Sequence, residues 1–292
     1  MELPDLKKIT TDNIHDPFLQ DKNIRLAVLR LDKIHPVISG NKWFKLKYHL
    51  DNFNAGNYKG LITFGGAWSN HIVATAAACY LQKIKCVGII RGEKPSALSS
   101  TLLEAANYEM DMKFISRESF AQRNNHEFLE TLKKEFPDHY IIPEGGAGKD
   151  GEKGAGEILQ HTDGKNYTHI VCAVGTGTMF NGIKQVASSD QKVLGIAVLK
   201  GWKEEDEMNN ARLFLNYHFG GYAKYDKTLI DFMNDFFRLT NIPTDFVYTG
   251  KLAYAIFDLI GKDYFPAASK ILMIHSGGLQ GNASLQKGSL IF

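Results

Sequence analysis

The feature that most constrains this chain is a repeated switch of hydrophobic period. Short, nearly continuous apolar runs alternate with segments of helical length over most of its 292 residues. Runs such as Ile170-Val171-Cys172-Ala173-Val174 show no polar alternation, so both faces are expected to be buried. Strands separated by helices of this size make βαβ units and a parallel sheet. The pattern predicts strands at Leu26–Asp32, Gly60–Phe64, Cys86–Arg91, Met112–Ile115, Tyr140–Pro143, His169–Val174, Val193–Val198 and Ile271–His275. It predicts helices at Lys42–Asn54, Asn70–Gln82, Ala97–Tyr108, Glu118–Phe136, Glu152–His161, Met179–Ala187, Asp226–Leu239 and Leu252–Ile260. Residues 1–24 read as polar and irregular with one short helix at most, and the stretch between Val198 and Asp226 has no clear period.

Composition narrows the partners. The formal net charge of +2 makes no strong field of either sign, so neither nucleic acid nor an anionic membrane is indicated. Cys79, Cys86 and Cys172 are odd in number and lie in apolar surroundings, which reads as buried thiols of a reducing compartment. Met1-Glu2-Leu3-Pro4-Asp5 is not the start of a signal peptide, and no apolar run has membrane-spanning length. The expectation is a soluble cytoplasmic protein.

In open α/β sheets ligands gather where strands end and helices begin. Ser39-Gly40-Asn41-Lys42-Trp43-Phe44-Lys45-Leu46 lies at such a place. Gly40 suits a tight turn and Asn41 is the expected N-cap. Lys42 then falls in the first turn, where the helix dipole disfavours an ammonium by about 0.3–1 kcal/mol. The neutral amine so favoured is the form that attacks a carbonyl. Most lysines are merely solvated, and it is the company of Lys42 that changes its reading.

Four glycine-rich loops stand at comparable places: Gly65 to His71, Glu144 to Gly148, Gly175-Thr176-Gly177-Thr178, and His275-Ser276-Gly277-Gly278. The third is the sharpest anion site. Its glycines let the backbone curl, its threonines add hydroxyls, and the next helix aims N–H groups at the same spot. Gly175, Gly177 and Gly182 depart from the G-x-G-x-x-G spacing and do not follow the first strand, which counts against a nicotinamide cofactor. There is no P-loop lysine, no G-x-S-x-G elbow, no H-E-x-x-H and no cysteine pair at zinc spacing. Ser69-Asn70-His71 reads either as a cap or as donors facing a ligand, and Tyr248-Thr249-Gly250-Lys251 precedes another helix.

Taken together these segments resemble the pyridoxal-phosphate enzymes of the tryptophan-synthase-β fold (fold type II). The resemblance is to the branch holding D-cysteine desulfhydrase and 1-aminocyclopropane-1-carboxylate deaminase, and it runs from about Leu29 to Gly278. It implies an α/β chain of two open parallel-sheet domains with pyridoxal 5'-phosphate in the interdomain cleft. Residues 1–48 and 158–292 would form the large domain and 49–157 the small one. Lys42 would be the lysine that joins the cofactor aldehyde. Val174, Gly175, Thr176, Gly177 and Thr178 would cup the phosphate, Asn70 would bond the ring hydroxyl, and Thr249 would partner the pyridine nitrogen. Ser69, with Asn70 and His71, would meet the substrate carboxylate, and Lys42, Ser69, Tyr222 and Tyr248 would form the catalytic set. No metal is implied, and the family implies a homodimer acting on a small amino acid.

Phe44, Trp68 and Ile72-Val73 depart from the family pattern, and the stretch between about Lys200 and Gly220 is short; these bear on substrate rather than cofactor. The resemblance also implies an acidic residue in the deaminase where this chain has Thr249, and Gln where it has His71. A neutral ring partner suits a substrate whose β-substituent leaves readily. The expectation is therefore a lyase performing β-elimination on D-cysteine or a related β-substituted D-amino acid, giving pyruvate and ammonia. The alternatives are the cyclopropane deaminase and a non-catalytic pyridoxal-phosphate-binding protein, the latter opposed by intact Lys42, Ser69, Tyr222 and Tyr248.

Overall fold

The apolar runs become the strands of two separate sheets. The computed structural model describes residues 2–203 and 210–292. In chain order it contains β1 (Thr11–Ile14), α1 (Pro17–Asp21), β2 (Arg25–Arg30), α2 (Asn41–Ala55), β3 (Gly60–Gly65), α3 (Asn70–Leu81), β4 (Lys85–Arg91) and α4 (Ser100–Asn107). Then come β5 (Asp111–Ile115), α5 (Arg117–Ala121), α6 (His126–Glu135), β6 (His139–Ile141), α7 (Lys149–Gly156), β7 (His169–Val174), α8 (Thr178–Val186) and β8 (Lys192–Ala197). The chain closes with β9 (Ala211–Phe214), α9 (Lys227–Thr240), α10 (Thr249–Gly261) and β10 (Lys270–His275), with short 3-10 turns between.

One sheet runs β1-β2-β10-β7-β8-β9 and the other β5-β4-β3-β6. Every pairing is parallel except β1 with β2. β10 inserts between β2 and β7, with Met273 opposite both Val28 and Val171, so both ends of the chain build the larger sheet. Period-2 alternation divides its side chains. Val28, Val171, Leu194 and Met273 pack with Phe236, Leu252 and Ile256 of α9 and α10. Leu29, Ile170, Cys172 and Leu272 pack with Ile183 of α8 and Phe44 of α2. Each such side chain contributes about 1.5–3 kcal/mol on burial. The smaller sheet is likewise covered on both faces, Leu61 and Ile90 by α3 and α4, and Phe64 and Ile89 by Phe120 and Leu132 of α5 and α6. The α/β fold class with two open parallel sheets therefore stands. α7 crosses α2 and α8 at glycines: a Cβ on Gly154 would overlap Phe44 O, and one on Gly182 would overlap Glu152 O. No helix among the described residues is long and apolar enough to cross a membrane.

Several expectations need correction. Residues 1–24 are not irregular: Asp16 caps α1, with Pro17 at its first position, and β1 forms an antiparallel edge on β2. The single helix expected over Glu118–Phe136 is two, because Asn125 takes the N–H of Glu127 at 2.9 Å and restarts the chain as α6. The helix expected over Glu152–His161 begins at Lys149 and tightens into a 3-10 turn at Glu157–His161. The unassigned stretch holds β9, and its residues 204–209 lie outside the described residues.

Candidate active site

The carboxyl ends of the strands of both sheets face a cavity of about 710 Å³. Lys42 enters it from the start of α2. Asn41 is not the N-cap, as expected, but the first helical residue; Gly40 is the cap, with φ +62° and no side-chain bond. That backbone needs glycine twice over. Its φ is left-handed, and a Cβ would overlap Ser276 O after β10. The close approach lets Asn41 N donate to Ser276 O at 3.2 Å, which ties the lysine loop to the end of the central strand. Asn41 Oδ1 accepts from Lys42 Nζ at 2.6 Å, while its Nδ2 reaches Met179 Sδ at 3.3 Å. Burial lowers the Lys42 amine to about 8 against the opposing pull of Asp245. A substantial neutral fraction therefore exists near pH 7–8.

One turn on, Lys45 lines the same cavity; it is only 5% exposed, and burial together with Lys42 lowers its amine to about 7. Lys45 has no role among the sequence expectations. The i, i+3 spacing, which puts both amines on one helix face, was the available signal.

Ser69, Asn70 and His71 start α3 after β3. Ser69 Oγ accepts from Ile72 N at 3.4 Å, so it is a cap, and it also lines the cavity. Asn70 Nδ2 donates to Gly278 O at 3.1 Å, leaving its Oδ1 buried and without a partner among the described residues. Thr63 Oγ1 lies 2.8 Å from His71 Nε2 and 3.2 Å from Ile142 O, so its hydroxyl holds the ring from the buried side. His71 Nδ1 has no partner among the described residues, and burial beside Lys42 keeps the ring neutral by pushing its pKa well below the ordinary value.

Across the cavity, Gly175, Thr176 and Gly177 leave the end of β7 and lead into α8. Gly177 has φ +85°, and Thr176 Oγ1 lies 3.0 Å from Thr178 Oγ1. Gly175 backs onto Tyr248, whose Cε1 would sit 3.1 Å from a Cβ there. Val174 and Thr178 are buried and do not line the cavity. Tyr248 lines it, and burial raises its phenol well above the ordinary value. Tyr222 is 42% exposed and donates to Trp68 O at 3.4 Å, so it spans from one sheet's loops to the other's. Its loop is pinned from beneath by Lys251, which donates to His218 O and Gly221 O, each at 2.9 Å.

Thr249 is fully buried behind the wall and is not among the lining residues. Its Oγ1 donates to Asp245 Oδ1 at 2.7 Å and accepts from Asp245 N at 2.7 Å. Asp245 in turn accepts the N–H groups of Val247, Tyr248 and Thr249 at 2.8–3.0 Å. Thr249 therefore has no free proton to offer, only a lone pair. Asp245 was missed by sequence reasoning; an Asp four residues before a helix-starting Thr was the signal.

A family model of pyridoxal-phosphate dependent enzymes matches residues 16–277. The chain belongs to that family. It is 29% identical over 268 residues to a putative 1-aminocyclopropane-1-carboxylate deaminase of Pyrococcus horikoshii, covering 84% of this chain and 81% of that one. It is 29% identical over 282 residues to the bifunctional D-cysteine desulfhydrase/1-aminocyclopropane-1-carboxylate deaminase, mitochondrial, of Arabidopsis thaliana, covering 84% and 70%. The crystal structure of an ACC deaminase homologue superposes with a TM-score of 0.80 at 24% identity, covering 96% of this chain and 94% of that one. The cavity fits the family's cofactor, pyridoxal 5'-phosphate, on three observations. It holds an amine lowered into the neutral range, a glycine loop opening a helix as an anion cup, and the orphaned Asn70 Oδ1 as an acceptor for a ring hydroxyl.

Three arginines complete the wall: Arg91 ends β4, Arg117 opens α5 just after β5, and Arg123 follows α5. Arg123 forms a close ion pair with Glu144 at 2.7 Å. No reading of the sequence had placed them here.

Proposed function

We propose that this enzyme is a lyase that performs β-elimination on a small β-substituted D-amino acid, releasing pyruvate and ammonia, with D-cysteine as the simplest substrate. The observation that carries the reading is Lys42. Its amine is lowered to about 8, oriented by Asn41, and faces an anion cup on one side and Ser69-Asn70-His71 on the other. The same reading takes residues 1–48 with 158–292, and 49–157, as the two domains, and the enzyme as a cytoplasmic homodimer, on the strength of the family resemblance.

Lys42 would attach the cofactor, Gly175 to Gly177 would hold its phosphate through backbone N–H groups, and Asn70 would accept from its ring hydroxyl. When bound, the cofactor supplies an electron sink for charge developing at the substrate Cα. The neutral Lys42 Nζ would take the Cα proton. Ser69 and the neutral His71 ring orient the carboxylate, and Tyr222 and Tyr248 stand as phenols that stay protonated. Thr249 stands behind the wall with its proton given to Asp245, so that wall would offer a ring nitrogen no direct carboxylate, and Asp245 lies one hydroxyl further back. Asp245 then acts as a counter-ion one hydroxyl removed. That is a weaker stabiliser than a carboxylate in contact, and it favours a substrate with a good leaving group over one whose Cα–Cβ bond must be broken.

The relatives named 1-aminocyclopropane-1-carboxylate deaminase support a second reading, ring opening to 2-oxobutanoate and ammonia. The test is a panel of D- and L-cysteine, β-chloro-D-alanine and the cyclopropane acid, with ammonia and 2-oxo acid measured. Pyruvate from the D-amino acids with negligible 2-oxobutanoate is the expected result. A larger kcat/KM on the cyclopropane acid would overturn it.

A further inference from the structure

The cavity is more cationic than the proposed reaction requires. Beside Lys42 and Lys45, both lowered into the neutral range, its lining includes three permanently charged guanidiniums, Arg91, Arg117 and Arg123, against one carboxylate, Glu144, which is already paired with Arg123. Arg91 and Arg117 have no hydrogen-bond or ion-pair partner among the described residues. They are neighbours by construction. Arg91 ends β4 in register with Ile115, Gly92 N donates to Ile115 O at 2.8 Å, and Arg117 follows two residues after Ile115. Both guanidinium groups thus leave adjacent strand ends of the smaller sheet, at the edge where parallel sheets present their ligand groups.

The ligand's other anions have places elsewhere. The anion cup at Gly175 to Thr178 belongs to the larger sheet, and Ser69, Asn70 and His71 stand ready for an α-carboxylate. Arg91 also lies near enough to Tyr222 for its charge to counter the effect of burial on that phenol, which places it beside a proposed catalytic group. Two unpaired guanidiniums on adjacent strand ends have the chemistry for a tetrahedral oxyanion, which accepts bidentate N–H pairs from arginine.

We propose that Arg91 and Arg117 bind a negative charge on the substrate's β-substituent, so that the preferred substrate is a three-carbon amino acid carrying a sulfonate, sulfinate or phosphate ester at Cβ. This rests on the lyase reading and narrows it. The chemistry balances without an oxidant. The Cα proton passes to Lys42 Nζ, and the Cβ–S or Cβ–O bond breaks with its electron pair leaving on sulfite, sulfoxylate or phosphate. The remaining enamine takes up water and loses ammonia to give pyruvate. Trp68 and Tyr222, joined by the Tyr222 Oη to Trp68 O bond, line the same cavity.

The experiment uses the holoenzyme and two readouts. The first is calorimetric binding of 3-sulfopropanoate, which lacks the amine and cannot react, compared with propanoate. Wild type should bind the sulfonate at least tenfold more tightly. Arg91→Met and Arg117→Met should each shrink that gap at least threefold, and Arg91→Lys and Arg117→Lys should restore part of it. The second is the ratio of kcat/KM for both enantiomers of cysteate and O-phosphoserine to kcat/KM for β-chloro-D-alanine, which should fall at least tenfold in each methionine variant. Equal binding of sulfopropanoate and propanoate by wild type, or methionine variants that leave the gap unchanged, would overturn the proposal. Turnover of β-chloro-D-alanine with no sulfonate preference would overturn this inference and leave the lyase reading standing. Arginine-dependent sulfonate binding with no turnover of any amino acid would do the reverse.

Discussion

Lys45 offers the sharpest test of the cavity's electrostatics. Its amine is 5% exposed, has no hydrogen-bond or ion-pair partner among the described residues, and sits one turn from Lys42. Burial, with Lys42 second, lowers it from 10.5 to about 7. Each unit is worth about 1.36 kcal/mol, so holding this ammonium costs roughly 5 kcal/mol below pH 7, and local relaxation brings the expected figure to about 2–5 kcal/mol. The sign follows from linkage. Between pH 7 and 10.5 the unfolded chain keeps a proton that the folded chain has shed, so stability rises with pH across that window. Lys45→Met keeps the length of the side chain and removes the charge. Urea unfolding of the cofactor-free variant should show it more stable than wild type by about 2–5 kcal/mol at pH 6, with the difference closing towards pH 10.5. Lys42 titrates in both proteins and cancels to first order. Equal stabilities at pH 6, or a difference that does not narrow with pH, would refute the reasoning.

Other consequences are testable alongside it. Gly177→Val should weaken cofactor binding, followed by cofactor fluorescence, far more than Thr176→Ala, because φ is +85° at Gly177 and its Cβ would crowd Trp202 at 2.9 Å; equal affinities would contradict a backbone cup. Gly40→Ala should cost at least about 1–3 kcal/mol in thermal unfolding, because it combines a left-handed backbone with overlap on Ser276 O. Asp245→Asn should destabilise the protein by about 3 kcal/mol or more, since an amide nitrogen would face donors the carboxylate now accepts; an unchanged melting temperature would show that the Asp245–Thr249 cap is not formed.

Much of the fold was legible because buried parallel strands need apolar residues on both faces. β7 and β10 declare themselves, and Ser69 and Asp226 mark helix starts by their chemistry. β1 was missed because an edge strand with Thr11, Asp12 and Asn13 buries only Ile14, so it carries no apolar run. The break between α5 and α6 was masked because apolar residues at helical spacing flank it on both sides, Phe120 before and Phe128, Leu129 and Leu132 after, while Asn125 was the overlooked cap. At the site, motifs that sit directly on a strand end could be placed. Arg91, Arg117 and Arg123 could not, because their convergence depends on β4 and β5 being neighbours, and strand order is not written in local periodicity. Asp245 escaped for a related reason: it acts through Thr249 from behind the wall and lines no cavity.

The central claim is that Lys42 is the cofactor's point of attachment, and borohydride reduction of the holoenzyme followed by peptide mass spectrometry measures it directly. The account predicts a single reduced pyridoxyl adduct on Lys42, absent in Lys42→Ala together with turnover. An adduct on Lys45, Lys47 or Lys251 in the wild-type protein would contradict it.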